Sequence, residues 1–220
     1  MKYTFIFLIL GTYLIVISFK LGILGWLLFW CGVSFITLGA AYGWLGARVF
    51  GKGSDGRMAW WAMALLMPYL LLTWAIWHLQ IRIGKEDSWN AIAPNIWLGR
   101  RPFVKDLPDN ISLIVDLTAE FSESQKVIAG RDYICVPTLD ASVPDDKTFR
   151  ELIEKVSAWQ GNIYIHCALG HGRSATVVAG VLVAKGLADN VDRAEEIIKK
   201  KRPGIEISKA QRRLLNRVVT

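Results

Sequence analysis

The sequence predicts a two-part protein, with α-helices of membrane-spanning length over residues 1–85 and an α/β domain over residues 89–220. Two observations predict this division. Long uncharged runs fill the N-terminal part, whereas strand-like and helix-like patterns alternate in the C-terminal part. Such alternation favours a central, mostly parallel sheet flanked by helices. The 220 residues are enough for one or two domains.

Three uncharged runs, Tyr3–Phe19, Leu21–Ala47 and Ala59–Ile81, make up the N-terminal part. A helix of about 20 apolar residues spans the hydrocarbon core of a bilayer. The first run is at the short end of this range, and a signal peptide is its alternative interpretation. Against that alternative, only Lys2 precedes the run and no small-x-small cleavage site comes before Lys20. We expect about three transmembrane helices, and hence an integral, multi-pass membrane protein in contact with membrane lipids.

The flanking charges and the cysteines bear on orientation and compartment. Basic residues flank the three runs almost equally on both sides, so the positive-inside rule does not orient the chain. The cysteines are Cys31, Cys135 and Cys167. An odd and sparse set of this kind is neither a disulfide framework nor a zinc-binding pattern. It favours a reducing compartment, so we expect the C-terminal domain to lie in the cytoplasm.

The C-terminal part follows a polar segment, Lys85–Ser88, that is typical of a hinge. Apolar and β-branched runs predict strands at Asn95–Gly99, Ile111–Leu117, Tyr133–Val136 and Asn162–Ile165. Apolar residues at helical spacing predict helices at Asp145–Gln160, Ala175–Leu182, Val191–Lys201 and Ser208–Val219. We expect Ser208 to cap the last helix, after a break at Pro203 and Gly204.

The stretch from Asn162 to Val178 carries the clearest chemical signal. A short strand leads into His166 and Cys167, and a glycine-bearing turn then leads to Arg173 at the N-terminal end of the predicted helix. The turn consists of Ala168, Leu169, Gly170, His171 and Gly172. Unpaired N–H groups at a helix N-terminus, together with the helix dipole, make a binding site for an anion. A guanidinium at the same place can bind two phosphate oxygens at once.

The same electrostatic field favours a thiolate. The pKa of a thiol falls from about 8.5 to roughly 3.5–7.5 near helix N-termini and cations. We therefore expect Cys167 to be ionised at neutral pH and to attack phosphorus. We expect His166 to point away from the anion and to hold the loop, and Ser174 to donate a hydrogen bond to the sulfur when it leaves. A buried core thiol is the alternative, but it does not explain the glycines, the arginine and the serine in one turn.

These residues carry a family resemblance. His166, Cys167, Gly170, Arg173 and Ser174 match, position by position, the HCxxGxxR signature followed by Ser or Thr of the cysteine-dependent protein tyrosine phosphatases. The segment resembles the dual-specificity branch of that superfamily most. Rhodanese-type sulfur transferases also have a cysteine-headed loop, but they lack this frame. The resemblance extends over the whole C-terminal part, through the NIWLG and IVDLT runs and the KKKRPGIEI segment.

The resemblance implies a phosphatase fold and a phosphatase reaction. It implies hydrolysis of phosphate monoesters through a cysteinyl-phosphate, with no metal ion and no other cofactor. It also implies a general acid, an aspartate on a mobile loop upstream of the cysteine. The candidates are Asp140, Asp145 and Asp146, and we expect Asp140 because it follows the VPTLD turn. Asp145 and Asp146 stand at a predicted helix start, where carboxylates cap the helix, and Asp116 is expected to be a structural hydrogen-bonding residue.

The substrate is left open between a phospholipid and a phosphorylated protein. Ala168 and His171 stand where phosphoinositide phosphatases of this superfamily often carry lysine, which disfavours a multiply phosphorylated inositol. Tethering to a bilayer raises the effective concentration of headgroups, which favours a lipid monophosphate such as phosphatidylglycerophosphate. A phosphoprotein at the membrane surface is the alternative. A pseudophosphatase that binds phosphorylated partners without turnover fits less well, because the cysteine, the arginine and an acid are all present.

Nucleic acid is not an indicated partner. The net charge is +7, but it is not concentrated in a basic patch with interleaved aromatic residues. A mild basic excess beside a membrane suits anionic lipid headgroups instead.

Overall fold

The computed structural model describes residues 2–219, which divide into two compact units. The first unit contains the described residues up to Gly53 together with Arg57–Lys85 and Ala119–Ser122. The second contains Ser54–Gly56, Glu86–Thr118 and the described residues from Glu123 onward.

The first unit is helical. Its main helices are α1 (Lys2–Ser18), α2 (Gly25–Ala40) and α3 (Trp60–Ile83). Short 3-10 and π-helical turns extend α2, so that a helical stretch runs over Gly22–Phe50. This stretch and α3 are long and apolar enough to cross a membrane, whereas α1 has 17 residues and falls short. All three predicted runs are therefore helical, but only two have the length of a membrane span.

Glycine and an indole N–H explain how these helices pack. A Cβ atom added to Gly11 of α1 would lie 2.7 Å from the carbonyl oxygen of Gly32 in α2, so the two backbones approach at a distance that only glycine permits. The Nε1 of Trp30 donates a hydrogen bond to the carbonyl oxygen of Ala64 at 2.9 Å. This bond joins α2 to α3 and satisfies a donor that is costly to leave unpaired in an apolar environment.

The second unit is built on a five-stranded mixed sheet. The strands are β1 (Trp89–Ala93), β2 (Ile96–Arg100), β3 (Ile111–Thr118), β4 (Asp132–Thr138) and β5 (Asn162–Cys167). Their order is β1-β2-β5-β3-β4, and only the β1–β2 pair is antiparallel. The prediction of a mostly parallel sheet is confirmed. Because β5 lies in the middle, the residues after it emerge among the carboxyl ends of parallel neighbours, where α/β proteins bind ligands.

The sequence did not predict β1. Its five residues bury only Ile92, so the run lacks the apolar pattern that marked the other strands. It forms a hairpin with β2 through a turn in which Asn95 has a φ of 62°. Asparagine tolerates this left-handed conformation better than most residues.

Five α-helices accompany the sheet in the described part of the second unit. They are α4 (Gln125–Ile128), α5 (Asp146–Ala158), α6 (Arg173–Ala184), α7 (Val191–Lys201) and α8 (Lys209–Val218). Helix α5 buries Phe149, Leu152, Ile153 and Val156, as its apolar spacing predicts. Ten of the twelve residues of α6 are buried, so this helix forms the centre of the core. It starts at Arg173, two residues before the predicted start, and this places the arginine in the first turn.

The cap of α8 provides a test of the fold. Ser208 accepts a hydrogen bond from the N–H of Gln211, whose side chain accepts one from the N–H of Ser208. This reciprocal pair satisfies two N–H groups that the helix leaves unpaired.

We expect Ser208→Ala to lower the free energy of unfolding by about 1 kcal/mol, measured as a lower Tm of the full chain in detergent. Ser157→Ala, which removes only a bond to the Glu154 carbonyl within α5, is the control, and equal shifts would contradict this role.

Candidate active site

The central strand and the core helix position the cysteine loop. Cys167 is the last residue of β5, and α6 starts six residues later at Arg173. Between them, Gly170 has a φ of 80°. A Cβ atom there would lie 2.6 Å from the carbonyl carbon and oxygen of Gly99 in β2. Both the conformation and the close approach therefore require glycine at this position.

The sulfur of Cys167 lies at the base of this loop. Cys167 is 3% exposed, and its Sγ accepts a hydrogen bond from the N–H of Gly170 at 3.3 Å. The Oγ of Ser174 lies 3.2 Å from the same sulfur. Two hydrogen-bonding groups thus surround the sulfur at the N-terminal end of α6, where the helix dipole also stabilises negative charge.

Arg173 extends from the start of α6 to the end of β4. Its Nη1 donates a hydrogen bond to the carbonyl oxygen of Thr138 at 2.8 Å. Its Nη2 lies 3.4 Å from Oδ1 of Asp140, whose side chain is 76% exposed. The structure therefore brings the arginine of the loop and the first candidate acid together, although 32 residues separate them along the chain.

The other two candidate acids have structural contacts. Asp145 is the N-cap of α5 and accepts hydrogen bonds from the N–H and Oγ1 of Thr148 at 2.9 and 2.7 Å. Asp146 forms a two-pronged ion pair with Arg217 at 2.7 and 2.8 Å. These hydrogen bonds hold the pKa of both carboxyl groups below its usual value. A proton donor near neutral pH needs the opposite shift.

His166 lies beneath the loop. It is fully buried, and its Nδ1 lies 3.3 Å from the carbonyl oxygen of Cys167. Its Nε2 lies 3.5 Å from Oε2 of Glu123, and the other oxygen of Glu123 lies 3.4 Å from the guanidinium of Arg101. Sequence reasoning missed Glu123. The only available signal was an acidic residue shortly after the buried β3 strand, near the edge of the sheet where sites form.

Asp116 completes this buried support. Its Oδ1 accepts hydrogen bonds from the N–H and Oγ1 of Thr118, and its Oδ2 accepts one from the hydroxyl of Tyr133 at 2.7 Å. The expectation of a structural hydrogen-bonding role for Asp116 is met. Burial, and then the Asp116 carboxylate, raise the pKa of Tyr133 far above its usual value, so the phenol stays protonated and donates.

A metal ion is one possible occupant of this region. The buried side chains of Asp116, Glu123 and His166 hold their ligand atoms within 4.8 Å of one another. The hydrogen bonds described above already use both oxygens of Asp116. Nε2 of His166 and Oε2 of Glu123 have no hydrogen-bond partner among the described residues. We interpret the three residues as a buried polar support for the loop, in which Asp116 is the hydrogen-bonded member.

The remaining loop residues lie at the outer side. Leu169 and His171 are half-buried, and the N–H of Arg101 donates a hydrogen bond to the carbonyl oxygen of Ala168 at 3.1 Å. The Nε2 of His171 lies 2.6 Å from Oε2 of Glu86. The sequence allows two interpretations of His171, a contact to a second acidic group of the substrate or an exposed loop residue. In the structure, His171 pairs with the carboxylate of Glu86.

Comparison with known sequences identifies the family of this site. The model of the family "Dual specificity phosphatase, catalytic domain" matches residues 101–218. The phosphatidylglycerophosphate phosphatase PTPMT2 of Arabidopsis thaliana is 27% identical over 179 residues, with 74% of this chain and 72% of that protein covered. The tyrosine-protein phosphatase cdc-14 of Caenorhabditis elegans is 32% identical over 115 residues, but the match spans 52% of this chain and only 15% of that protein.

Solved structures show the same fold. PTPMT1 in complex with PI(5)P has a TM-score of 0.53 and 24% identity, with 60% of this chain and 94% of that chain covered. The active form of Tk-PTP has a TM-score of 0.52 and 24% identity, with 60% and 95% covered. At this identity the likeness concerns the fold, a mixed sheet with flanking helices.

The half-buried Tyr133 provides a prediction for stability and its pH dependence. Tyr133→Phe leaves Asp116 without one donor, so we expect the free energy of unfolding at pH 7 to fall by about 1–3 kcal/mol. The pKa of Tyr133 is raised in the folded state above the ordinary tyrosine value of about 10, so the unfolded phenol ionises first as the pH rises. This contribution to stability is complete below pH 10 and is lost above it.

The difference in the free energy of unfolding between wild type and Tyr133→Phe is therefore expected to become smaller above pH 10, because phenylalanine does not ionise. Denaturant unfolding of the full chain at a series of pH values measures this difference. A difference that stays constant up to pH 11 would contradict the role of the protonated Tyr133 phenol as a donor to Asp116.

Proposed function

The chain belongs to the dual specificity phosphatase family and is a phosphoric monoester hydrolase, and we propose that it hydrolyses a phosphate monoester of a membrane lipid. The observation that carries the proposed mechanism is the placement of Cys167. Its sulfur is hydrogen-bonded by Gly170 and lies beside Ser174 at the start of α6, with the Arg173 guanidinium on the same turn.

Substrate binding uses the charge of the loop. The inward N–H groups, the N-terminus of α6 and Arg173 surround the three non-bridging oxygens of the phosphate. This positive charge stabilises the oxygens during transfer, so the chemistry requires no metal ion.

The reaction has two steps. The Cys167 thiolate attacks phosphorus, an S–P bond forms, and the P–O bond to the lipid alcohol breaks while Asp140 gives its proton to the leaving oxygen. In the second step, Asp140 takes a proton from water, the water oxygen attacks phosphorus and the S–P bond breaks. Ser174 then donates a hydrogen bond to the thiolate that leaves, and inorganic phosphate is released.

Two findings favour a lipid. PTPMT2, a phosphatidylglycerophosphate phosphatase, matches 74% of this chain, and two helical stretches here are long and apolar enough to span a membrane. We propose that residues 1–85 form a multi-pass anchor of three helices including α1, and that residues 89–220 form the catalytic domain on the cytoplasmic side. Anchoring raises the local concentration of headgroups, and the lack of lysine at Ala168 and His171 favours a single phosphate.

A phosphoprotein is the second candidate substrate. The match to the tyrosine-protein phosphatase cdc-14 favours it, although that match covers a small part of the relative. A pseudophosphatase role is not favoured, because the sulfur, the arginine and Asp140 are assembled at one place.

A substrate panel tests this proposal. Full-length protein in mixed micelles or vesicles is offered phosphatidylglycerophosphate, phosphatidylinositol phosphates and phosphotyrosine and phosphothreonine peptides, and released phosphate is measured. We expect the highest kcat/KM for the lipid with one phosphomonoester. Higher kcat/KM for the peptides would contradict the lipid assignment.

The nucleophile is tested with Cys167→Ser. This substitution should abolish turnover of every substrate without lowering the free energy of unfolding by more than about 2 kcal/mol. Unchanged turnover in Cys167→Ser would contradict the role of Cys167 as nucleophile.

The acid is tested by the leaving group. Asp140→Asn should slow hydrolysis of an alkyl phosphate by about 10²–10⁴-fold, and of p-nitrophenyl phosphate much less, because the nitrophenolate leaves without a proton. Asp146→Asn, which removes a carboxylate charge at the start of α5, is the matched control and should leave this ratio unchanged. The same leaving-group dependence in Asp146→Asn would show that Asp140 is not the acid.

A further inference from the structure

Arg202, just after α7, is a buried charged residue that the proposed chemistry does not use. Its side chain is 2% exposed. A buried guanidinium is costly unless its N–H groups are hydrogen-bonded. Burial lowers the pKa of the Arg202 guanidinium, and the Glu86 carboxylate opposes this shift. Its hydrogen-bond partners therefore indicate what the residue stabilises.

Two of these partners are carbonyl groups of the phosphate-binding loop. The Nη2 of Arg202 donates to the carbonyl oxygen of Leu169 at 2.8 Å, and its Nε donates to that of Gly170 at 3.0 Å. Its Nη1 donates to the carbonyl oxygen of Asp87 and to Oδ1 of Asn90, at 3.0 and 2.8 Å. The guanidinium of Arg202 thus joins the phosphate-binding loop to Asp87, which precedes β1, and to Asn90 in β1.

The contact to Leu169 reaches the sulfur through a single peptide group. The C=O of Leu169 and the N–H of Gly170 belong to the same peptide unit, and in a trans peptide they point in opposite directions. Arg202 binds the oxygen of this unit at 2.8 Å, while its N–H donates to Sγ of Cys167 at 3.3 Å. A cation on the oxygen also polarises the peptide, which makes its N–H a stronger donor.

We propose that Arg202 is a positioning residue that orients and polarises the Leu169–Gly170 peptide toward the thiolate of Cys167. This inference rests on the proposed role of Cys167 as nucleophile. Removal of the guanidinium leaves two outward carbonyls of the loop without their donor, and the peptide between them is then free to rotate its N–H away from the sulfur. The thiolate loses a hydrogen bond, although Arg173 and the other loop amides remain.

Glu86 belongs to the same arrangement. Its Oε2 lies 2.6 Å from Nε2 of His171 and 3.4 Å from Nη2 of Arg202. The polar segment predicted as a hinge therefore supplies two acceptors to Arg202, Glu86 and Asp87, and Asn90 of β1 supplies a third. A catalytic domain that starts at residue 101, where the family match begins, lacks all three.

The test uses full-length protein in detergent, with Arg202→Gln, Arg202→Lys and the control Arg193→Gln. Arg193 is an exposed arginine of α7 that pairs with Glu196. Iodoacetamide labelling of Cys167 over a series of pH values is followed by mass spectrometry, which separates it from Cys31 and Cys135. On the acidic limb of this profile, where the labelling rate follows the thiolate fraction, we expect labelling to be about tenfold slower in Arg202→Gln, as for a lost hydrogen bond to a charged group. Lysine restores part of the rate because it supplies one charged donor, and the control labels like wild type.

Hydrolysis of p-nitrophenyl phosphate gives the second readout. We expect kcat of Arg202→Gln to fall about tenfold while KM changes less than about twofold, because the remaining groups of the loop still bind the phosphate. Glu86→Gln, at a half-exposed position, is expected to lower kcat about two- to threefold. It is the test variant to use if Arg202→Gln does not fold.

The outcomes separate this inference from the proposed function. Wild-type labelling rates in both Arg202→Gln and Glu86→Gln would overturn the role of Arg202 alone. A lower Tm in Arg202→Gln with no rescue of labelling by lysine would show a structural role only, and would also overturn it. A wild-type Cys167 that is neither labelled nor required for turnover would overturn the nucleophile assignment and this inference with it.

Discussion

The site depends on the orientation of the peptide groups between Cys167 and Arg173, among which the N–H of Gly170 donates a hydrogen bond to Sγ of Cys167. A peptide that points its N–H at a bound anion must point its C=O outward, where a buried carbonyl requires a donor. Here the backbone N–H of Arg101 binds Ala168, and Arg202 binds Leu169 and Gly170. Donors from other segments thus bind the carbonyl groups of the loop, while the N–H of Gly170 binds the sulfur.

A second layer supports the loop from beneath. His166 lies against Glu123, and Asp116 is held by Thr118 and the neutral phenol of Tyr133. His166, Glu123, Asp116 and Thr118 are buried, and both oxygens of Asp116 accept hydrogen bonds. Loss of the Thr118 or Tyr133 donor therefore leaves a carboxylate oxygen short of a partner, which is costly in a low dielectric. A rigid base of this kind is what a preorganised anion site needs, since its dipoles do not have to reorient during the reaction.

Three aspartates from the end of β4 to the start of α5 show that position decides the role of a carboxylate. Asp145 caps a helix and Asp146 pairs with Arg217, and both contacts favour the ionised form. Asp140 lies in the exposed turn after β4, beside Arg173. The preference for Asp140 rested on the VPTLD turn and on family resemblance, and the contacts of its neighbours now add a physical reason for it.

What the sequence determined by itself is local. The spacing of Cys167, Gly170 and Arg173 lies within one turn, the apolar spacing of α5 follows from helical geometry, and the cap at Ser208 involves two residues three apart. The tertiary structure alone decided the partners that lie far apart in the chain, such as Glu123 with His166 and Arg202 with Leu169. No sequence pattern marks these pairs, because parallel crossovers bring them together only when the sheet assembles. The strand β1 was not predicted for a similar reason. Its pairing with β2, and not an apolar pattern of its own, makes it a strand.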